Sequence, residues 1–315
     1  MKKTTLVFIL TCIFLSRASA HAPRVAVFDF DDRLAQEATT AKYIETQLSK
    51  KMPGVVVDQY SGKKSVPLSI DLLQTIDNNN YDLLIIITSD ALIIANHIIK
   101  NTPTLFTNVN NPMYLGLKTL GPPGGMISGA SYYIPVEKQL ALYMKIIPGL
   151  NRIGFIFDRN NKSKKVELPE VRNVCERIGV DYMIEMISSD RDLYGAATKL
   201  INGNVQALVI GSSDLLYDNI TLFLDACNQQ SVPVFSFNRK GVMQGALAAL
   251  SSDYNRMADE LIIPMAVLVL EHHKSPGDMP VGFLKENRIY ININQARMLG
   301  LDIPQDIIQS AVIIP

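Results

Sequence analysis

The sequence predicts an α/β protein made of two doubly wound parallel-sheet lobes joined by a hinge. Three observations carry this expectation. Short β-branched runs alternate with helix-length segments, the alternation runs through the chain twice, and Gly121, Pro122, Pro123, Gly124 and Gly125 form a breaker cluster between the two rounds. Near-continuous apolar strands separated by helices belong to parallel sheets covered on both faces. The 315 residues are 48% hydrophobic and 19% charged, a composition that supports large cores and excludes a disordered chain. Thirty basic residues balance thirty acidic ones, so no basic field argues for nucleic acid, and none is expected as a partner.

The first element is a leader. Lys2 and Lys3 precede an apolar run from Leu6 to Leu15, and Ala18, Ser19 and Ala20 supply the small residues a signal peptidase reads. Residues 1–20 therefore read as a signal peptide cleaved after Ala20. The run is short of the roughly 20 residues needed to span a bilayer. Thr11 stands before Cys12 where lipoprotein processing expects Gly or Ala. Removing Lys2, Lys3 and Arg17 leaves 27 bases against 30 acids, a net charge of −3 on a chain expected in the periplasm or another extracytoplasmic space.

Strands are expected at Val25–Phe30, Val55–Tyr60, Leu83–Thr88 and Thr104–Val109, then at Arg152–Phe157, Asp181–Ile187, Ala207–Ile210, Pro233–Phe237 and Ala246–Leu250. Helical patterns fill the intervals, at Ala35–Lys51, Ile70–Asn78, Leu92–Lys100, Pro135–Ile147, Glu167–Ile178, Asp192–Asn202, Ile220–Gln229 and Asn255–His272. Pro264 should kink the last unless packing absorbs it. In a 2-1-3-4 strand order with right-handed crossovers, Cys175 and Cys227 fall on helices covering opposite faces of one sheet. Both are expected as buried free thiols. The four histidines and these cysteines show no zinc spacing, and no cofactor is called for.

Ligands of doubly wound sheets sit beyond the carboxyl ends of the strands. Those ends carry Ser89 and Asp90, Asn110, Asp158, Ser212 and Asp214, Phe237 and Asn238, and Asp253, with Ser131 and Tyr133 just past the breaker cluster. Any one of these polar residues also suits a helix N-cap. As a set, hydroxyls and helix amides hold a carboxylate while carboxylates hold an ammonium, which suits a small zwitterion such as an amino acid. Phe237 or Tyr133 could stack on a flat ligand. A competing reading starts from Asp29 and Asp31, an Asp-x-Asp after an apolar strand that resembles the first motif of haloacid-dehalogenase-type phosphatases. Asp29 would be nucleophile and Asp31 general acid, with magnesium. Asp32 and Arg33 depart from that motif, and no later lysine and paired acids fall at a strand end.

A second resemblance covers more of the chain. Ile291 to Pro304 and Ile307 to Ala311, with Pro233 to Ser236, Val242 to Ala248, Asp253 and Tyr254, and Ile127 to Ser131, together resemble the substrate-binding proteins of ABC transporters that include tryptophan and tyrosine binders. The likeness spans residues 81–315 well and 24–80 in outline. It implies a type I periplasmic-binding-protein fold, closure of two lobes on a small ligand, and a permease as membrane partner. A lobe pair reporting to a membrane sensor is the rival outcome. A monomer is expected. Ser89 matches the family's ligand-carboxylate hydroxyl, Asp90 stands where the family has proline, and Asn111 where it has aspartate. The lobes are expected at 21–130, completed by about 256–285, and at 131–255. Residues 286–315 lie near the hinge with their lobe left open, and Ser128–Tyr133 and Ser251–Asn255 serve as hinge segments.

Overall fold

The structure, a computed structural model, describes residues 22–32 and 35–315. The leader and its cleavage site lie outside the described residues. Two sheets form the scaffold. The first comprises β1 (Arg24–Asp29), β2 (Val56–Ser61), β3 (Leu83–Ile87), β4 (Thr104–Val109) and β5 (Ile127–Ser131), in the order β2-β1-β3-β4-β5. All its pairings are parallel. The second contains β6 (Arg152–Asp158), β7 (Asp181–Ile187), β8 (Ala207–Ile210), β9 (Val234–Ser236), β10 (Ala248–Ser251), β11 (Arg288–Asn292) and β12 (Ala311–Ile314). Its order, β12-β11-β10-β9-β8-β6-β7, repeats the first sheet's pattern and adds two strands at one edge. The doubly wound expectation holds in both lobes.

Each sheet is apolar on both faces because helices cover both. Leu83 to Ile87 are all inaccessible to solvent, as a central strand between two helix layers must be. Val27, Ile85 and Leu105 pack on the helix Ala35–Lys51 side with Met257, Ile262 and Ala266. Phe28, Ile86 and Phe106 pack on the other face with Leu73 and Leu92. The segment from Tyr254 to Leu284 thus contributes to the core of the first sheet, although in the chain it lies between β10 and β11 of the second.

Several details depart from the sequence expectation or settle what it left open. The second helix begins at Val66 rather than Ile70, because Ser65 caps it and accepts the Leu68 N–H at 3.4 Å, with Pro67 in the first turn. Pro264 produces no helix end. A wide turn at Ala258–Ile262 precedes it, with the Ile263 N–H bonded to the Ala258 carbonyl five residues back, so the missing proline N–H is absorbed. Ser128–Ser131, expected as a hinge segment, is instead most of β5, and Ser128 Oγ donates to the Met279 carbonyl at 2.8 Å. Residues 286–315, whose lobe was open, supply β11, antiparallel to β10, and β12.

Cys175 and Cys227 lie in hydrophobic clusters on opposite faces of the second sheet and are free thiols. Burial pushes the Cys175 thiol up to about 11 and the Cys227 thiol up to about 12. Both are thiols rather than thiolates at neutral pH and are unreactive. In a protein beginning at His21, the native chain is expected to resist a thiol-specific reagent that titrates both cysteines after denaturation. Rapid native labelling of either would contradict their burial.

Candidate functional site

The chain passes between the lobes after β5, after β10 and before β11. Ser252 ties the three crossings together: its hydroxyl lies 3.2 Å from the Tyr132 carbonyl and 2.9 Å from the Asn287 side-chain oxygen. Beyond the strand ends the lobes enclose a cleft of about 780 Å³. That is ample for an amino-acid-sized ligand. From the first lobe, Thr40, Thr88, Ser89, Asp90 and Asn108 face it; from the second, Ser212, Asp214, Asn238, Arg239 and Lys240.

Thr88 and Asn108 end neighbouring strands with φ of +87° and +53°. For asparagine this left-handed backbone is tolerable, but for β-branched threonine it is strained. Such strain gathers at binding sites, where the surroundings hold it in place. Here the Thr88 hydroxyl accepts the Ala91 N–H at 3.5 Å, and the helix Ser89–Ile98 starts at the cleft. The Ser89 hydroxyl accepts the Asn110 N–H at 3.1 Å, which locks the ends of β3 and β4 together.

Charge in the cleft is largely paired. Lys162, on the second lobe, forms an ion pair with Asp90 on the first. The Asn110 amide adds a second interlobe contact, donating to Ser163 Oγ at 3.3 Å. Lys240 reaches Asp214 at 2.8 Å and Asp218 at 2.9 Å. Burial disfavours its charge, but these two hydrogen bonds outweigh it and hold the lysine above its ordinary pKa. Asp253 caps the helix at Tyr254 and lies 3.3 Å from Arg288.

Six of the residues expected at the site line this cleft: Ser89, Asp90, Ser212, Asp214, Asn238 and Asp253. Asn110, Tyr133 and Phe237 instead line a hollow of about 20 Å³ beside it, room for one water. Tyr133 donates to Glu170 Oε1 at 2.6 Å, and Phe237, 6% exposed, packs into the second lobe's core. Ser131 and Asp158 line neither space. The Ser131 hydroxyl sits 2.9 Å from the Val109 carbonyl and accepts the Tyr133 N–H, while Asp158 Oδ2 accepts the Ser213 hydroxyl at 2.7 Å. The rings that do face the cleft are Tyr132, Tyr217 and Tyr254, the first and last in an edge-to-face pair at 5.9 Å. Lys162, Arg239 and Lys240 could have been found, since they lie a few residues past strand ends. Thr39 and Thr40 carried no such signal, because they sit inside the first helix.

Residues 49–313 match the family of ABC transporter substrate binding proteins. The chain belongs to that family. This substrate-binding protein is also similar to a tyrosine-binding protein of Clostridioides difficile (strain R20291), at 26% identity over 264 residues, 82% of this chain and 75% of that one. Its fold matches a Streptococcus pneumoniae ABC domain solved in complex with L-Trp, with TM-score 0.77 and 20% identity over 94% of this chain and all of that one. It also matches a ligand-free, open substrate binding protein with adhesive properties from Clostridium difficile. There the TM-score is 0.81, with 20% identity over 93% of this chain and 99% of that one. The family binds solutes and is non-enzymatic. Nothing here supports the phosphatase reading: Asp29 and Asp31 are buried and are not among the residues lining the cleft, and Asp29 Oδ1 accepts the Asp31 N–H at 2.9 Å in a local turn. Among the described residues no helix is long and apolar enough to cross a membrane.

Proposed function

We propose that this substrate-binding protein captures an aromatic amino acid in the interlobe cleft and delivers it to the permease of an ABC importer. The observation that carries the reading is the pairing of two chemistries in one cleft. Hydroxyls and a helix start at Thr88 and Ser89 suit a carboxylate, Asp214 suits an ammonium, and Tyr132, Tyr217 and Tyr254 give the same cleft an aromatic lining. The names of the tyrosine-binding relative and of the L-Trp complex favour the same ligand class. Residues 21–130 with 256–285 act as one lobe and 131–255 as the other, closing as a monomer about the crossings at Tyr132 and Ser252. The leader directs the chain out of the cytoplasm and is removed after Ala20, so the exported protein should begin at His21. N-terminal sequencing of the secreted form checks this.

Ligand class is tested by thermal shift of the mature chain with a panel of amino acids. A ligand that binds only the folded state raises the melting temperature with concentration. L-tyrosine, L-tryptophan or L-phenylalanine is expected to do so, and aliphatic or acidic amino acids much less. A shift produced only by sugars, or by no amino acid, would defeat the reading.

A further inference from the structure

We infer that Arg239 selects for a carboxylate on the ligand from the second lobe, clamping it together with the Thr88 and Ser89 hydroxyls of the first. This deepens the aromatic amino-acid reading and rests on it. The other charged groups of the cleft are matched: Lys162 pairs with Asp90, Lys240 lies between Asp214 and Asp218, and Asp253 meets Arg288. Among the described residues Arg239 has no carboxylate within ion-pair reach. Its guanidinium lies over the Tyr254 ring, 5.7 Å from the centroid.

That position has two consequences. Arg239 opens the helix Arg239–Met243 of the second lobe, whereas Tyr254 packs with the core of the first lobe, so the guanidinium reaches across the interlobe boundary. With no carboxylate partner of its own among the described residues, a guanidinium held beside that ring keeps N–H groups to take a ligand carboxylate with two parallel hydrogen bonds. Next to it, one lysine faces two aspartates, so the Lys240, Asp214 and Asp218 cluster carries a surplus negative charge. A positive fork beside a negative surplus complements the two ends of an α-amino acid zwitterion.

The test is calorimetric titration of the mature wild type, Arg239→Gln and Arg239→Lys with L-tyrosine and with tyramine, which lacks only the carboxylate. Wild type is expected to prefer L-tyrosine over tyramine by about 10- to 100-fold, the range that charge-assisted hydrogen bonds supply. In Arg239→Gln this preference should collapse while tyramine affinity stays within about threefold of wild type, which also reports an intact cleft. Arg239→Lys, a point charge without the fork, should fall between them. A glutamine variant that keeps the full preference for L-tyrosine overturns the assignment and leaves the aromatic reading standing. A wild type that binds neither L-tyrosine nor another aromatic amino acid overturns both.

Discussion

Glu167→Gln is expected to stabilise the protein by roughly 2–3 kcal/mol above pH 7 and to change little below pH 4.5. Glu167 is 7% exposed, behind the cleft on the helix Lys164–Ile178. Burial pushes its carboxyl from the ordinary 4.5 up to about 7, against hydrogen bonds from the Ser212 hydroxyl and N–H, and Glu170 nearby adds to the rise. Between those two pH values the folded protein keeps a proton that the unfolded chain has released. Folding then binds protons, so unfolding free energy falls as pH rises through the window and levels off above about 7. Glutamine keeps an oxygen for the Ser212 N–H, now 3.0 Å from Glu167 Oε2, and removes the buried charge. Urea titrations of both proteins from pH 4 to pH 8.5 measure the difference. Parallel stability curves across that range would mean that Glu167 does not titrate in the folded state as described.

Gly129→Ala is expected to cost about 3–5 kcal/mol and to lower the melting temperature by on the order of 10 °C. A methyl group built on Gly129 would stand 2.1 Å from the Phe106 carbonyl oxygen and 2.4 Å from its nitrogen. Both atoms are backbone, and Phe106 cannot retreat, because β4 is paired on its other side with Ile86 of β3. The β4–β5 register shifts just past this point, between Phe106 and Val109, and a residue without Cβ is what lets the strands approach there. Thermal unfolding followed by circular dichroism checks this. A variant that melts within about 2 °C of wild type would show that the strands separate freely, and that Gly129 is not needed for its contact.

Much of this molecule was legible as local pattern. The apolar runs at Leu83–Ile87 and Ala207–Ile210 have no polar face, so each must lie inside a sheet covered twice. The right-handed crossover then separates Cys175 from Cys227 without any knowledge of distances. The edge of the second sheet was not legible in this way. β12 is short and half-exposed, and β11 becomes a strand because β10 offers it an open edge, a partner that local sequence does not name. The π-type turn before Pro264 belongs to the same class, since the surrounding core of Met257, Ile262 and Ala266 decides whether a proline kinks a helix or is absorbed.

The candidate site divides along the same line. The sequence by itself determined that polar residues crowd the carboxyl ends of strands, because in a doubly wound sheet every strand must end in a turn before its helix. It also determined that the chain carries two such rims. Which of those residues face a ligand was decided only when the lobes came together. Ser131 and Asp158 turn inward because buried strand ends leave backbone and hydroxyl groups that must find partners. Arg239 faces the cleft, and Tyr254, from a later segment packed into the other lobe, comes to lie beneath it. A contact between residues on different lobes depends on three chain crossings and an interlobe angle, and neither has a local period in the sequence.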